Sequence, residues 1–143
     1  MTMTFTEAEE LVDRYLTLFM EGKLEEAQAL LAPDARLIFP GGAVQTSLPD
    51  VAAEVGRLYE SVGKTIDRTW SASLGDDIIV TTTGYLYGTS RTFGEFNGVR
   101  FIDFFTVRDG KIIAQEVIND ASQVGVVDPY SRSQSEMATA EPR

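Results

Sequence analysis

One carboxylate in this sequence stands where chemistry is most easily imagined. Asp103 lies in the middle of Phe101-Ile102-Asp103-Phe104-Phe105, an apolar run of strand character. A carboxyl group there is expensive to bury unless it is partnered or neutral, and a buried one can give or take a proton. The alternatives are that it faces solvent or pairs with Arg68 or Arg100. Tyr15 is the second candidate. It shares a helical face with Ala8, Leu11, Val12, Leu16 and Phe19, so its phenol either donates a hydrogen bond into the interior or fills core. Asn119 and Asp120 close the last apolar run. Asn119 has the strand parity of Val117, while Asp120 has the opposite one and reaches the interior only through a bulge; otherwise it is a cap. The Thr81-Thr82-Thr83 run reads as β-propensity.

The missing residue types narrow this chemistry. Among 143 residues there is no histidine and no cysteine. Disulfides, thiolate metal sites and cysteine nucleophiles are excluded, and so is the usual base near neutral pH. Proton transfer must fall to Asp, Glu, Tyr, Lys or water. No Gly-rich phosphate loop of the expected spacing is present, so no metal or organic cofactor is expected. A net charge of −10 disfavours nucleic acid and anionic membrane surfaces as partners. The N-terminal stretch lacks a basic segment followed by an apolar one, and no apolar run reaches the roughly 20 residues that span a bilayer, so a cytoplasmic protein is expected.

The elements that would position these residues follow from periodicity. Thr6, with Glu9 three residues on, reads as the capping box of a first helix that ends at Gly22. A second helix is expected from Leu24 to Leu31, and a short strand over Arg36–Phe39, stopped by Pro40-Gly41-Gly42. Helical spacing returns over Leu48–Val62, with Ser47 as cap and Pro49 in the first turn. Strands are then expected over Thr65–Leu74, Ile78–Tyr87, Val99–Val107 and Ile112–Asn119, with a long loop from Gly88 to Gly98. Asp109-Gly110 marks a tight hairpin. From Gly125 the chain is polar, so a folded domain over 1–125 and a disordered tail over 126–143 are expected. Helices followed by antiparallel strands make an α+β fold with the helices on one sheet face. Ile102 and Phe104 then point away from the helices. A second copy of the sheet is the simplest cover for them, which implies a homodimer.

The order of these elements, with four local strings, resembles the nuclear transport factor 2-like superfamily, including its ketosteroid isomerases and SnoaL-like polyketide cyclases. The strings are Tyr15-Leu16 followed by Gly22-Lys23-Leu24-Glu25, then Leu31-Ala32-Pro33-Asp34-Ala35, then Phe101-Ile102-Asp103-Phe104-Phe105, then Arg108-Asp109-Gly110-Lys111-Ile112-Ile113. The resemblance covers about residues 7–125 and implies a cone: a curved antiparallel sheet whose mouth three N-terminal helices close over a small-molecule pocket. In the isomerases an Asp matching Asp103 donates a hydrogen bond to an oxyanion; this enzyme is also the standard example of a neutral catalytic carboxylic acid. Tyr15 matches their oxyanion-hole tyrosine, and Tyr59 a tyrosine supporting that network.

The departures matter as much. Where the isomerases carry their proton-shuttling Asp this chain has Phe39, and where the cyclases carry a catalytic Asp it has Val117. A classical steroid isomerase is therefore not implied. What is implied is a cofactor-independent isomerase, cyclase, dehydratase or epoxide hydrolase that stabilises an oxyanion with Tyr15 and Asp103, with Asp120 as a substitute base. Phe39, Trp70, Phe101, Phe105 and Val117 are the expected pocket walls, suited to a hydrophobic, ring-containing ligand. The alternatives are a non-catalytic small-molecule binding protein and a dimeric interaction module.

Overall fold

The computed structural model describes residues 2–128. Helix α1 spans Phe5–Met20 and buries Ala8, Val12, Tyr15, Leu16 and Leu18 on one face. Its capping box is Thr4 with Glu7, two residues earlier than expected: the Glu7 N–H donates to Thr4 Oγ1 at 3.1 Å, and the Thr4 N–H donates to Glu7 Oε1 at 2.9 Å. The motif occurs twice in this stretch. The earlier one prevails because it places Met3 against the core just ahead of the cap. Helix α2 is shorter than expected, Leu24–Gln28, because the chain from Leu31 onward is recruited into the sheet.

Strand β1 covers Leu31–Phe39 and β2 covers Ala43–Gln45, a short element that periodicity did not mark. Pro33 and Asp34 fall in the register shift between Leu31 and Arg36. That is where a residue without an N–H does least harm to a ladder. Helix α3, Leu48–Leu58, is capped by Ser47, whose Oγ accepts the Asp50 N–H at 3.3 Å. It was expected to continue to Val62, but the backbone turns extended at Tyr59. The apolar spacing of Tyr59 and Val62 suits a strand as well as a helix, and pairing decides for the strand.

Three long strands follow: β3 (Tyr59–Leu74), β4 (Asp77–Ser90) and β5 (Gly94–Arg108), then β6 (Lys111–Asn119). The expected loop from Gly88 to Gly98 is mostly ladder, with Ser90 paired to Gly94. Asp109 and Gly110 both have positive φ, 51° and 76°, as a two-residue type I′ turn requires. The sheet order is β2-β1-β6-β5-β4-β3. All neighbours are antiparallel except β1 and β6, which run parallel. The sheet is therefore mixed where an antiparallel one was expected. This is the α+β cone: three helices over a curved, unclosed six-stranded sheet.

Alternation separates its faces. Phe101, Asp103, Phe105 and Val107 of β5 are buried, while Ile102 and Phe104 between them are 38% exposed. The inner face carries two apolar clusters. One holds α1, Val80, Phe105 and Ile112; the other holds Tyr59, Leu86, Phe96, Phe101, Ala121 and Val126. Val126 is buried at 3% exposure, and its carbonyl accepts the Ser90 hydroxyl at 2.5 Å, so packing continues past the expected boundary at Gly125. Residues 129–143 of the expected tail lie outside the described residues.

Candidate active site

Between the two inner clusters lies a polar row. Asp103 stands opposite Thr82 on β4 and Val117 on β6, flanked along its own strand by Phe101 and Phe105. It is fully buried. Its Oδ2 forms an ion pair with Lys64 Nζ, and Oδ1 has no hydrogen-bond partner among the described residues. Lys64 comes from β3, two strands away, and its Nζ also sits 4.7 Å from the centroid of the Phe101 ring. Gly84 permits this approach. A Cβ at Gly84 would stand 1.9 Å from Thr65 O, so only glycine lets β3 fold so close to β4 beside the bulge after Ile66.

Tyr15 enters from α1. Its hydroxyl donates to Gln115 Oε1 at 3.1 Å, and its ring meets Phe105 edge-on at 5.9 Å. Gln115 pairs with Phe105 across the β5–β6 ladder, so it shares the inner face. Burial raises the Tyr15 phenol well above its ordinary value, and the negative charge of Asp103 adds to the effect. Tyr15 is thus a proton-bearing donor throughout the neutral range, while Asp103 Oδ1 is an open acceptor.

The expected residues divide. Tyr15, Asp103, Phe101, Phe105 and Val117 all face the interior, and Phe39 packs partly buried against the first cluster. Tyr59 does not join Tyr15; it lies at the start of β3 in the second cluster, its ring centroid 5.7 Å from that of Phe96. Trp70 is a correction. It pairs with Thr81, opposite Phe104, on the outer face, and is 47% exposed. Asp120 accepts a hydrogen bond from Arg100 Nε at 2.6 Å and is not part of the Asp103 row. Asn119 shares the inner parity through its pairing with Phe101, but its Oδ1 accepts the Ala121 N–H at 3.0 Å, a turn-capping role.

Neither arginine expected as a partner for Asp103 takes that place. Arg100 bonds Asp120, and Arg68 lies over Trp70, 5.8 Å from its ring centroid. Sequence reasoning missed Lys64, Gln115 and Thr82. Gln115 shares the strand parity of Val117 and Asn119, a signal that could have found it. Lys64 falls between the expected helix over Leu48–Val62 and the expected strand from Thr65, where no element was assigned.

A groove of about 850 Å³ opens elsewhere, between the β4–β5 hairpin and the segment around Val124 and Val126. Its walls include Tyr87, Phe93, Phe96 and Val99 but none of Asp103, Lys64 or Tyr15.

A family model described as a SnoaL-like domain matches residues 12–115. The chain belongs to the SnoaL-like family. The SnoaL-like match runs from α1 into β6 and includes Tyr15, Lys64, Thr82, Asp103 and Gln115. Among solved structures, an NTF2-like protein of unknown function from Burkholderia pseudomallei is 20% identical, with a TM-score of 0.66, covering 88% of this chain and 99% of that one. A protein assigned as a SnoaL-like polyketide cyclase from Jannaschia sp. CCS1 is 16% identical, with a TM-score of 0.65, covering 90% and 95%. TerC, crystallised with polyporic acid, is 18% identical, with a TM-score of 0.66, covering 85% and 97%. At such identities the likeness establishes the NTF2-like fold. No curated protein matches the chain.

Proposed function

We propose that this SnoaL-like protein is an enzyme that moves a proton on a hydrophobic, ring-containing carbonyl compound inside the cone, using no metal or organic cofactor. The observation that carries the reading is Asp103: fully buried between Phe101 and Phe105 on its strand, one oxygen on Lys64, the other without a hydrogen-bond partner among the described residues. The ion pair favours an acceptor's role for Asp103, in place of the hydrogen-bond donor that the resemblance implied.

In this reading Asp103 Oδ1 takes a proton from the carbon beside the substrate carbonyl. The C–H electron pair moves onto the carbonyl oxygen, and the Tyr15 hydroxyl turns from Gln115 to donate to that oxyanion. An enolate formed so can be reprotonated elsewhere, attack a second carbonyl to close a ring, or expel a β-hydroxyl. These are the isomerase, cyclase and dehydratase outcomes. A positioned base contributes roughly 10²–10⁴-fold and one oxyanion donor roughly 10²–10³-fold. The outer face, with Trp70, Ile102, Phe104 and Ile118 exposed, supports a homodimer formed through the sheet.

Deuterium uptake by 2-tetralone in D2O, followed by NMR, tests the chemistry. Wild-type protein is expected to accelerate exchange, and Asp103→Asn and Tyr15→Phe each to lose about 10²-fold or more. Exchange at the buffer rate, or equal rates for wild type and Asp103→Asn, defeats the proposal. One observation favours a second reading, a binding protein without turnover: Tyr15 is already bonded to Gln115 and Asp103 to Lys64. Tight binding of 2-naphthol with no exchange is the result that selects it.

A further inference from the structure

We propose that the cone has a second polar pole, formed by Thr82 and Ser71 beside Asp103, that binds a hydroxyl or carbonyl oxygen of the ligand. This rests on the reading that the cone is the ligand site, and it deepens that reading. The substrate class is a ring compound carrying at least two oxygen functions, one for Tyr15 and Asp103 and one for this pole.

The register brings the pole together. Thr82 on β4 stands directly opposite Asp103 on β5 and Thr69 on β3. Directly opposed residues share a face with Cβ atoms about 5 Å apart, and diagonal ones are still neighbours. Ser71 is such a diagonal neighbour, because it pairs with Val80, two residues before Thr82. Val80 is completely buried on the inner face, so Ser71 and Thr82 face inward with it. Only the middle of the three consecutive threonines turns inward, which gives that run a use beyond strand propensity.

Three inward oxygens on three adjacent strands lack any hydrogen-bond partner among the described residues: Ser71 Oγ, Thr82 Oγ1 and Asp103 Oδ1. Thr82 is 2% exposed and Asp103 0%. Buried polar atoms are nearly always paired, and leaving one unpaired costs stability, so a row of three demands an explanation. The buried hydroxyls of Tyr15 and Ser90 show what this protein does elsewhere: each donates to an oxygen, of Gln115 and Val126 respectively. Thr83 Oγ1 is also unpartnered but points to the opposite face and is no part of the pole. Hydroxyls both donate and accept, so Thr82 and Ser71 can take either a ligand hydroxyl or a ligand carbonyl. Tyr15 supplies a donor and Asp103 an acceptor. A ligand with a single oxygen leaves the Thr82–Ser71 end unsatisfied.

Calorimetric titration of the full chain with 2-naphthol and with the isomeric dihydroxynaphthalenes tests this. At least one diol is expected to bind about five- to tenfold more tightly than 2-naphthol, the size of one added buried hydrogen bond. Thr82→Val and Ser71→Ala should each abolish that advantage and leave 2-naphthol affinity within about twofold, while Thr82→Ser retains it. Thr82→Val should also melt no lower than wild type, since the lost hydroxyl makes no hydrogen bond among the described residues. If Thr82→Val fails to fold, a bound water or another bond satisfies Thr82 and the proposal is overturned; Ser71→Ala reads the pole independently. If no diol outperforms 2-naphthol, or the advantage survives in both variants, the pole is refuted while the cone reading stands. If 2-naphthol binds unchanged to Tyr15→Phe and Asp103→Asn, or fails to bind wild type, both readings fall together.

Discussion

Lys64 and Asp103 decide much of this protein's interior between them. Asp103 has no exposure and the Lys64 side chain 18%, so the Asp103 charge has no water to turn to if Lys64 is removed, and Lys64 has little if Asp103 is removed. Breaking a buried pair by losing one partner costs about 3–5 kcal/mol, whereas replacing both by apolar groups is often neutral. Asp103→Leu and Lys64→Met are each expected to lower stability by roughly that amount in denaturant titrations, and the double variant to recover most of the loss. Additive losses in the double variant would show that the two side chains do not depend on each other. Tyr15 makes a separate, pH-dependent contribution. Its folded value is raised above the unfolded 10.0, first by burial and then by the charge of Asp103. Its contribution is therefore complete below pH 10 and is lost as pH rises from there toward the folded value. Tyr59, also raised by burial, acts in the same direction. Melting curves between neutrality and strong alkali should fall less steeply for Tyr15→Phe than for wild type above about pH 10.

Among the elements, glycine positions separate chain that needs its backbone from chain that does not. Gly56 lies in α3, and beyond its chain neighbours and its own helix backbone no atom of the described residues comes within 4 Å of where a Cβ would stand, so Gly56→Ala is expected to stabilise the protein by about 0.5–1 kcal/mol. Gly84 is the opposite case, with Thr65 O 1.9 Å from where its Cβ would be. Gly84→Ala must push β3 away from β4, and a loss of more than about 3 kcal/mol is expected, with weakened ligand binding because Lys64 moves too. Thermal melts of the two variants check both signs. An unchanged Gly84→Ala melt would mean that the β3 bend is not what seats Lys64. The long strands also explain the misplaced boundaries. Val62 and Tyr59 fit two periods at once, and Gly63 resembles a helix stop, yet fourteen registered pairs between β3 and β4 outweigh a last turn of helix.

At the scale of the whole molecule, the exposed outer face sets the assembly proposed above. Trp70, Ile102, Phe104 and Ile118 form adjacent rows across β3, β5 and β6, each 38% exposed or more. A dimer through this face should bury about 1,200–2,000 Å² in total. Light scattering at micromolar concentration is expected to give twice the chain mass for wild type, and Phe104→Lys to give the monomer mass with the inner site intact. A monomeric wild type ends the idea, and leaves those residues as surface without a partner.

How much was legible depended on range. The alternation around Asp103, the apolar face holding Tyr15 and the Asp109-Gly110 turn are local patterns, so the class of fold and the two candidate residues were legible there, while the surroundings of each side chain were not. Whatever depended on register was decided by tertiary structure alone. That includes the parallel pairing of β1 with β6, the outward turn of Trp70, and the choice of Lys64 over Arg68 or Arg100 as the partner of Asp103. The physical reason is that a single bulge, such as the one after Ile66, reverses every later side chain on its strand. Local composition does not announce where such a bulge falls. It is set by how closely two backbones approach, here at Gly84, and that contact exists only once the sheet has formed.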